Sequence, residues 1–276
     1  MKHTAQKNKR GVKSTILLIA IVLLIGALGF SVYQVLSVYI PQQKEQQHFA
    51  ELRDLITEDE YEYVYEEPDP DDTTATPDSP PQPKKVLKKS KYSELFKRYS
   101  DMCGWLKIDG TAVDYPVMKS DLEEGEYYLH RDVEGDYSFA GCLFCGVNCD
   151  PDSDIFIIYG HNMNNGSMFA CLTDFGGESF VNGHRDILFD TQDERRVYRV
   201  FASFEAPAYT KDDDVFKYYN CVGTLDESAY NTAVEYYRSR AYYWSGDPPA
   251  YPTQIMLLST CYTDKDRFVV AAYRVQ

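Results

Sequence analysis

The run from Ile16 to Tyr39 contains no charged side chain, and it is the feature that most limits how this chain can fold. As a helix it would span roughly 36 Å at ~1.5 Å per residue, enough to cross the hydrocarbon core of a bilayer. In lipid the backbone of such a segment can satisfy its own hydrogen bonds only as a helix. We therefore predict a transmembrane helix over residues 15–39, with any globular domain built from later residues.

The charges around this run predict its orientation. Five basic residues precede it and no basic cluster follows it directly: Lys2, Lys7, Lys9, Arg10 and Lys13. The positive-inside rule then places residues 1–14 in the cytoplasm and the rest of the chain outside. A cleaved signal peptide is the alternative, but its apolar region is usually about 7–15 residues long and ends in an Ala-x-Ala-like site, which this sequence does not show. We expect an uncleaved single-pass anchor in the cell membrane.

Residues 40–91 have the composition of an extracellular stalk. The part from Glu58 to Pro83 is rich in acidic residues and proline, so it cannot bury enough apolar surface to offset the entropy of ordering the chain. We predict an extended, disordered linker there. The basic patch that follows could contact anionic wall polymer or keep the domain edge soluble; its residues are Lys84, Lys85, Lys88, Lys89 and Lys91.

Residues 92–276 form the predicted globular domain, in which short runs of β-forming residues alternate with Gly, Asp and Asn clusters. The predicted strands cover residues 104–108, 115–118, 138–145, 154–159, 186–190, 195–205, 255–260 and 267–275. This spacing is typical of a barrel or a sandwich. Helices are predicted from Tyr92 to Tyr99, near Ser167, and after Thr224, where Thr-x-x-Glu has the form of a capping box and an apolar face extends to Tyr243.

Charge and cysteine content exclude some functions. The formal net charge of −15 argues against nucleic-acid binding, because phosphate backbones are bound by clustered Lys and Arg. The chain has seven cysteines, an odd number, so at least one thiol is free or pairs with another chain. The spacing Cys142-x-x-Cys145-x-x-x-Cys149 superficially resembles a metal site but lacks a second paired cluster. Small buried side chains are the favoured interpretation for most of the cysteines, and a disulfide among Cys142, Cys145 and Cys149 stays open.

Three side chains stand where a catalytic site would be expected. Cys261 and His161 each follow an apolar strand, and Arg267 begins the next strand after a polar turn. An imidazolium can stabilise a thiolate and later protonate a leaving amine, and a guanidinium offers fixed donors to an oxyanion. We therefore predict that Cys261, His161 and Arg267 converge at one rim as nucleophile, acid/base and oxyanion clamp.

Seven sequence blocks in this order resemble the sortases, and class B within them, over roughly residues 92–275. The blocks are Gly104-Trp105-Leu106-Lys107-Ile108, Asp114-Tyr115-Pro116-Val117, Tyr127-Tyr128-Leu129, Tyr159-Gly160-His161-Asn162-Met163, Gly166-Ser167-Met168-Phe169, Leu258-Ser259-Thr260-Cys261 and Arg267-Phe268-Val269-Val270. The Gly-His-Asn-Met and Gly-Ser-Met-Phe blocks, with a helix before the strand that ends in the cysteine, indicate class B.

The resemblance implies a mainly β fold: a closed eight-stranded barrel with peripheral helices, preceded by the membrane helix and the linker. It implies a membrane-anchored cysteine transpeptidase that needs no cofactor or metal. Such enzymes cut a sorting signal of surface proteins after its Thr, here an Asn-Pro-x-Thr or Ser/Pro-Pro-x-Thr type. The thioester is then resolved by an amine of lipid II or a peptidoglycan stem peptide, or by a pilin Lys. Substrate contacts are expected from Ser259, Thr260, Leu129 and Asn162.

Two other functions remain open on the sequence. The first is a secreted cysteine peptidase or amidase that uses Asp264 or Asp266 to orient His161, although papain-like enzymes place Cys before His in the chain. The second is a non-enzymatic surface domain in which Cys142, Cys145, Cys149 and His161 hold zinc. Side chains at i and i+3 of a strand point to opposite faces, which is poor geometry for shared ligation.

Overall fold

The computed structural model describes residues 3–64, 84–120, 125–208, 213–263 and 265–276. The chain divides into two compact units, Met1–His48 and Phe49–Gln276. Helix α1 (His3–Asp54) contains the apolar run, and its most apolar 18-residue window has a mean hydropathy of 2.8. A helix of this length and composition could cross a membrane, as predicted. The predicted boundaries at residues 14, 39 and 91 stay predictions.

Two strands border the middle of the predicted linker. The first lies inside its predicted bounds of Glu58 and Pro83, so the prediction of disorder is wrong for residues 60–64. Strand β1 (Glu60–Val64) pairs antiparallel with β2 (Lys84–Lys89), and the Cα partners include Glu60 and Lys89. Residues 65–83, which hold most of the predicted acidic and Pro-rich linker, lie outside the described residues. The β1 sequence Glu-Tyr-Glu-Tyr-Val alternates acidic and apolar residues with the period of a strand, a signal that the acidic composition obscured.

Among the residues that the structure describes, nine strands form the main sheet. They are β3 (Met102–Lys107), β4 (Asp114–Met118), β5 (Leu143–Cys145), β6 (Ile155–Tyr159), β7 (Asp186–Asp190), β8 (Arg195–Pro207), β9 (Ala241–Trp244), β10 (Ile255–Cys261) and β11 (Asp266–Arg274). Eight of them pair in the order β11-β10-β6-β5-β4-β3-β7-β8, and the pairing of β11 with β8 closes the ring. This confirms the predicted closed eight-stranded barrel. The ninth, β9, pairs only with the C-terminal half of β8.

The parallel pair β6 and β10 determines where the functional residues lie. Their apolar segments Ile155–Ile158 and Ile255–Leu258 are fully buried, as is usual for parallel strands. The register pairs Ile155 with Ile255 and continues to Tyr159 with Ser259. Because the two strands run in the same direction, both C-terminal ends reach the same rim of the barrel.

Helices cover the outside of the barrel. They are α2 (Ser93–Arg98), α3 (Glu178–Gly183) and α4 (Glu227–Ser239), with short 3-10 helices at Tyr127–His130, Ala170–Gly176 and Tyr218–Asn220. The first predicted helix is thus confirmed. The one predicted near Ser167 begins three residues later, as the 3-10 helix that leads into α3.

The predicted capping box of α4 is wrong. The N-cap is Asp226, whose carboxylate accepts a hydrogen bond from the Ala229 amide at 2.8 Å. Thr224 lies two residues before the N-cap, and the next residue, Leu225, donates its amide to the carboxylate of Asp154, which directly precedes β6. The apolar face also ends earlier than predicted, since Tyr243 belongs to β9 rather than to the helix.

Candidate active site

The thiol and the guanidinium meet across one hairpin. Cys261 is the last residue of β10 and is exposed, while Arg267 is the second residue of β11. The two are Cα partners in the antiparallel register, so their side chains lie on the same face of the sheet as near neighbours. The turn between them is closed by a hydrogen bond from the Thr263 hydroxyl to the Asp266 carboxylate at 2.6 Å. The Arg267 guanidinium also donates to the Asp266 carbonyl at 3.2 Å.

Three hydrogen bonds join the histidine segment to the cysteine segment. The Gly160 amide donates to the Ser259 carbonyl at 3.2 Å, and the Thr260 hydroxyl donates to the Gly160 carbonyl at 2.8 Å. The Asn162 side-chain amide then donates to the Cys261 carbonyl at 3.0 Å. These contacts continue the parallel β6–β10 register past the C-terminal end of β6. They bring His161, two residues past β6, to the rim where Cys261 lies.

The His161 ring is oriented by a backbone carbonyl. Its Nε2 lies 3.0 Å from the Leu129 carbonyl oxygen, which can only accept a hydrogen bond. The contact therefore assigns a proton to Nε2 and leaves Nδ1 as the nitrogen that can exchange a proton with a reacting group. His161's backbone carbonyl accepts from the Phe169 amide at 2.9 Å, which anchors the loop. The ring of His130 lies beside it, with 5.0 Å between ring centroids.

All three predicted catalytic side chains line one cavity of about 310 Å³. Three of the four predicted substrate contacts, Leu129, Ser259 and Thr260, line it as well. Asn162 is not part of the lining; it is exposed and bonded to the Cys261 backbone. Among the lining residues that the structure describes, Arg267 is the one Lys or Arg and Glu126 the one acid. The cavity thus combines a thiol, an imidazole and one cation within a mostly apolar wall.

Several lining residues were not predicted from the sequence. They include Tyr159, Glu126, the turn residues 146–148, and Tyr219, Asn220 and Val222. Tyr159 had a signal, because it directly precedes the Gly-His pair at the end of a buried strand. The others come from a tight turn and a 3-10 helix, which carry no periodicity that a sequence pattern could detect.

Tyr159 lines the cavity, and Tyr218 lies behind it in contact with Ser259. Tyr218 is buried, and its hydroxyl lies 3.0 Å from the Ser259 hydroxyl. Burial raises the pKa of Tyr218 to about 12, although the hydrogen bond with Ser259 and the charge of Arg267 oppose this. Burial also holds the pKa of Tyr159 well above its usual value. Both phenols therefore remain protonated at physiological pH and cannot serve as the base.

The geometry disfavours the two alternative sites. Within the described part of the chain, Cys142, Cys145, Cys149 and His161 do not bring their ligand atoms within 4.8 Å of one another, so they do not form a zinc set. For the peptidase, Asp264 lies outside the described residues. The Asp266 carboxylate is bonded to Thr263 within its own turn, and a backbone carbonyl contacts the His161 Nε2.

Gly141 offers a test of how the histidine is held. Its φ is +60°, and a Cβ added there would lie 2.1 Å from the Leu129 carbonyl oxygen that contacts His161. We expect Gly141→Ala to lower the free energy of unfolding by roughly 3 kcal/mol, through overpacking and left-handed strain, and to lower activity by displacing this oxygen. Chemical denaturation and steady-state kinetics measure both effects.

Gly166→Ala is the matched control for Gly141→Ala. Gly166 has φ +82°, but nothing lies within 4 Å of its added Cβ, so only the conformational cost of about 1 kcal/mol applies. Equal losses of stability in the two variants would contradict a special role for the contact between Gly141 and the Leu129 carbonyl.

Comparisons with known proteins identify the family to which the chain belongs. The family model described as the Sortase domain matches residues 106–275. Sortase B of Listeria monocytogenes is 32% identical over 176 residues, covering 63% of this chain and 68% of that protein. Sortase B of Staphylococcus aureus is 22% identical over 268 residues, covering 94% of each.

Solved structures show the same fold. Bacillus anthracis sortase B in complex with AAEK1 superposes with a TM-score of 0.66 at 23% identity, covering 86% of this chain and 99% of that one. The Staphylococcus aureus sortase B–substrate complex has a TM-score of 0.58 at 25% identity, covering 67% of this chain and 85% of the other.

Proposed function

Because this chain belongs to the sortase family of cysteine transpeptidases, and to its class B, we propose that it joins surface proteins to an amine outside the cell. The reaction would cut a C-terminal sorting signal after a Thr and transfer the new carboxyl end to the acceptor. The observation that carries this proposal is the convergence of Cys261, His161 and Arg267 on one cavity.

The first half of the reaction is acylation of the enzyme. The Cys261 sulfur, as a thiolate, attacks the carbonyl carbon of the substrate Thr and forms a tetrahedral oxyanion. The Arg267 guanidinium, on the neighbouring strand, donates hydrogen bonds to this oxyanion. Collapse breaks the peptide bond, and His161 delivers a proton to the leaving amine. The product is a thioester between Cys261 and the Thr.

The second half transfers the acyl group. An acceptor amine attacks the thioester carbon while His161, now neutral, removes a proton from it. Expulsion of the Cys261 thiolate leaves an amide between the Thr and the acceptor. A thioester suits this step because amines attack it more readily than they attack an amide. The Leu129 carbonyl supports both halves by holding Nε2, so that proton exchange falls to Nδ1.

The cavity lining supports recognition of a peptide. Leu129, Ser259 and Thr260 lie beside the catalytic residues, and Asn162 fixes the backbone of the nucleophile. We propose that they contact a sorting signal of the Asn-Pro-x-Thr or Ser/Pro-Pro-x-Thr type. Sortase B of S. aureus has been solved in complex with substrate, and a sortase B has been solved in complex with triglycine. By analogy, we propose that this chain binds a peptide donor and a separate amine acceptor.

The N-terminal apolar helix supports a proposal for the location of the enzyme and for its acceptor amine. We propose that α1 holds the enzyme in the cell membrane as a single span with residues 1–14 in the cytoplasm, because its apolar run is long enough and basic residues precede it. A domain held at the outer surface is well placed to use an amine of lipid II or of a peptidoglycan stem peptide; a pilin Lys is the alternative acceptor.

Product analysis tests this function against the peptidase alternative. The full-length chain in detergent is incubated with a fluorescent peptide carrying an Asn-Pro-x-Thr or Pro-Pro-x-Thr signal and with increasing triglycine. We expect an amide-ligated product whose share rises with the amine concentration. Hydrolysis with no ligation at any amine concentration, retained in Arg267→Ala, would support the peptidase instead.

A further inference from the structure

Three thiols that the proposed reaction does not use cluster beside the catalytic cavity. The Sγ atoms of Cys145 and Cys149 are 3.9 Å apart, and the two side chains are only 5% and 4% exposed. The third thiol is that of Cys103 on β3, which donates to the Val117 carbonyl at 3.4 Å and is close enough to Cys145 to raise the pKa of its thiol. Within the described part of the chain, Cys145 and Cys149 thus form a buried pair whose sulfurs are in contact, and Cys103 lies beside them.

The pair lies under a turn that forms part of the cavity wall. Residues 146–148 connect the two cysteines, and all three line the cavity that contains Cys261. The turn is fixed on β6 by a bond from the Gly146 amide to the Ile157 carbonyl at 2.9 Å. Another bond runs from the Ile157 amide to the Cys149 sulfur at 3.4 Å. The Cys145 sulfur therefore lies at the end of β5, where the turn begins, and the Cys149 sulfur lies where the turn is hydrogen-bonded to β6.

We propose that Cys145 and Cys149 form a disulfide that closes this turn and fixes the cavity wall beside the catalytic cysteine. A disulfide bond is about 2.05 Å long, so the two sulfurs must approach by about 2 Å. Rotation about the Cα–Cβ bonds supplies part of this movement, since cysteine is not β-branched. The proposal goes beyond the transpeptidase activity, and it needs the domain to lie outside the cytoplasm, where disulfides persist.

The bond forms by thiol–disulfide exchange with an oxidised dithiol protein or a small disulfide outside the cell. The Cys145 thiolate attacks one sulfur of the oxidant and releases the first oxidant thiolate, leaving a mixed disulfide. The Cys149 thiolate then attacks the Cys145 sulfur and releases the second. Two cysteine thiols are oxidised, one oxidant disulfide is reduced to two thiols, and the cysteine protons are taken up by the departing thiolates.

Burial determines when this exchange can occur. Hydrogen bonding with Cys103 and burial raise the pKa of the Cys145 thiol, while hydrogen bonding with Cys145 and burial raise that of Cys149. Thiols held protonated and out of solvent react slowly with a disulfide. The exchange therefore takes place while the chain folds, before the turn closes over the sulfurs. Once made, the bond is shielded from reductants in the same way.

Differential alkylation of the full-length chain tests the proposal. The chain, carrying Cys261→Ala so that the exposed thiol cannot exchange, is isolated from membranes and denatured in the presence of a light alkylating reagent. It is then reduced and treated with a heavy one. Chymotryptic cleavage after Phe144 and Phe156 gives a peptide whose cysteines are Cys145 and Cys149 alone. We expect both to carry the heavy label, and the unreduced peptide to be lighter by two hydrogen atoms.

Single substitutions distinguish a Cys145–Cys149 disulfide from a Cys103–Cys145 disulfide. Cys145→Ser and Cys149→Ser should each leave the remaining cysteine with the light label, whereas Cys103→Ser should leave both heavy. Light label on both cysteines of the parent chain, or a bond between Cys103 and Cys145, would overturn the proposal. The readout is a mass, not turnover, so its failure is distinct from a failure of the transpeptidase function.

Discussion

Cys261→Ala should abolish both turnover and covalent capture of a sorting peptide while leaving the fold intact. The thiol is exposed at the end of β10, so its removal creates no buried cavity and changes the free energy of unfolding by less than about 0.5 kcal/mol. Without the sulfur no thioester can form, and loss of a nucleophile of this kind costs on the order of 10⁴-fold or more in kcat. Steady-state assays of cleavage and ligation measure the loss.

Cys221→Ala is the matched control for Cys261→Ala. Its thiol is half-buried and donates to the Ala229 carbonyl of α4, so it does not line the cavity, although its neighbours Asn220 and Val222 do. We expect near-normal cleavage and ligation from this variant. If Cys261→Ala kept more than about a hundredth of the parent rate, or if Cys221→Ala lost as much as Cys261→Ala, the nucleophile would have to be assigned elsewhere.

Arg267→Lys should lower kcat/KM by about 10²- to 10³-fold although it keeps the positive charge. Arg267 is the cross-strand partner of Cys261 and the one Lys or Arg among the described residues that line the cavity. A planar guanidinium offers several donors in fixed directions, whereas an ammonium is a point charge on a flexible chain. Losing one oxyanion donor typically costs this much, because the donor acts mainly in the transition state.

The control for Arg267→Lys is Arg199→Lys. Arg199 lies on β8 and pairs with Asp186 at 2.9 Å on the exposed surface, so the same change there should leave kcat/KM within about twofold. The Arg267 loss should fall mainly on kcat, with a smaller change in KM. A rise in KM alone, with kcat preserved, would make Arg267 a substrate-binding residue and not an oxyanion donor.

Most barrel strands could be predicted because each is an apolar run that is recognisable in the local sequence. β4, β6, β7, β10 and β11 lie within one residue of the predicted bounds, since apolar runs bounded by Gly and Asp define them locally. Strand β5 was predicted from Ser138 but begins at Leu143. Gly141 has a positive φ and its amide donates to the Ser138 hydroxyl, so this stretch is a turn. Strand β9 was not predicted. It follows α4 directly, and its aromatic residues were interpreted as a continuation of the apolar face of that helix.

The meeting of the three predicted catalytic residues at one cavity was predictable in part, and the other residues that line this cavity were not. Cys261 and Arg267 are joined by a short hairpin, so their proximity follows from the sequence. The approach of His161 depends on the parallel pairing of β6 with β10, two strands a hundred residues apart, which no local pattern specifies. The carbonyl of Leu129 and the turn at residues 146–148 reach the cavity only through this tertiary arrangement.

The central claim is that the Cys261 sulfur takes an acyl group from a Thr, and mass spectrometry of the acyl-enzyme tests it most directly. The full-length chain is mixed with sorting-signal peptides in the absence of amine, quenched in acid, digested and mapped. We predict that a mass equal to the peptide up to its Thr appears on the fragment containing Cys261 and disappears when triglycine is added. Peptide cleavage with the adduct on another residue, or with no adduct under conditions that trap thioesters, would contradict the account.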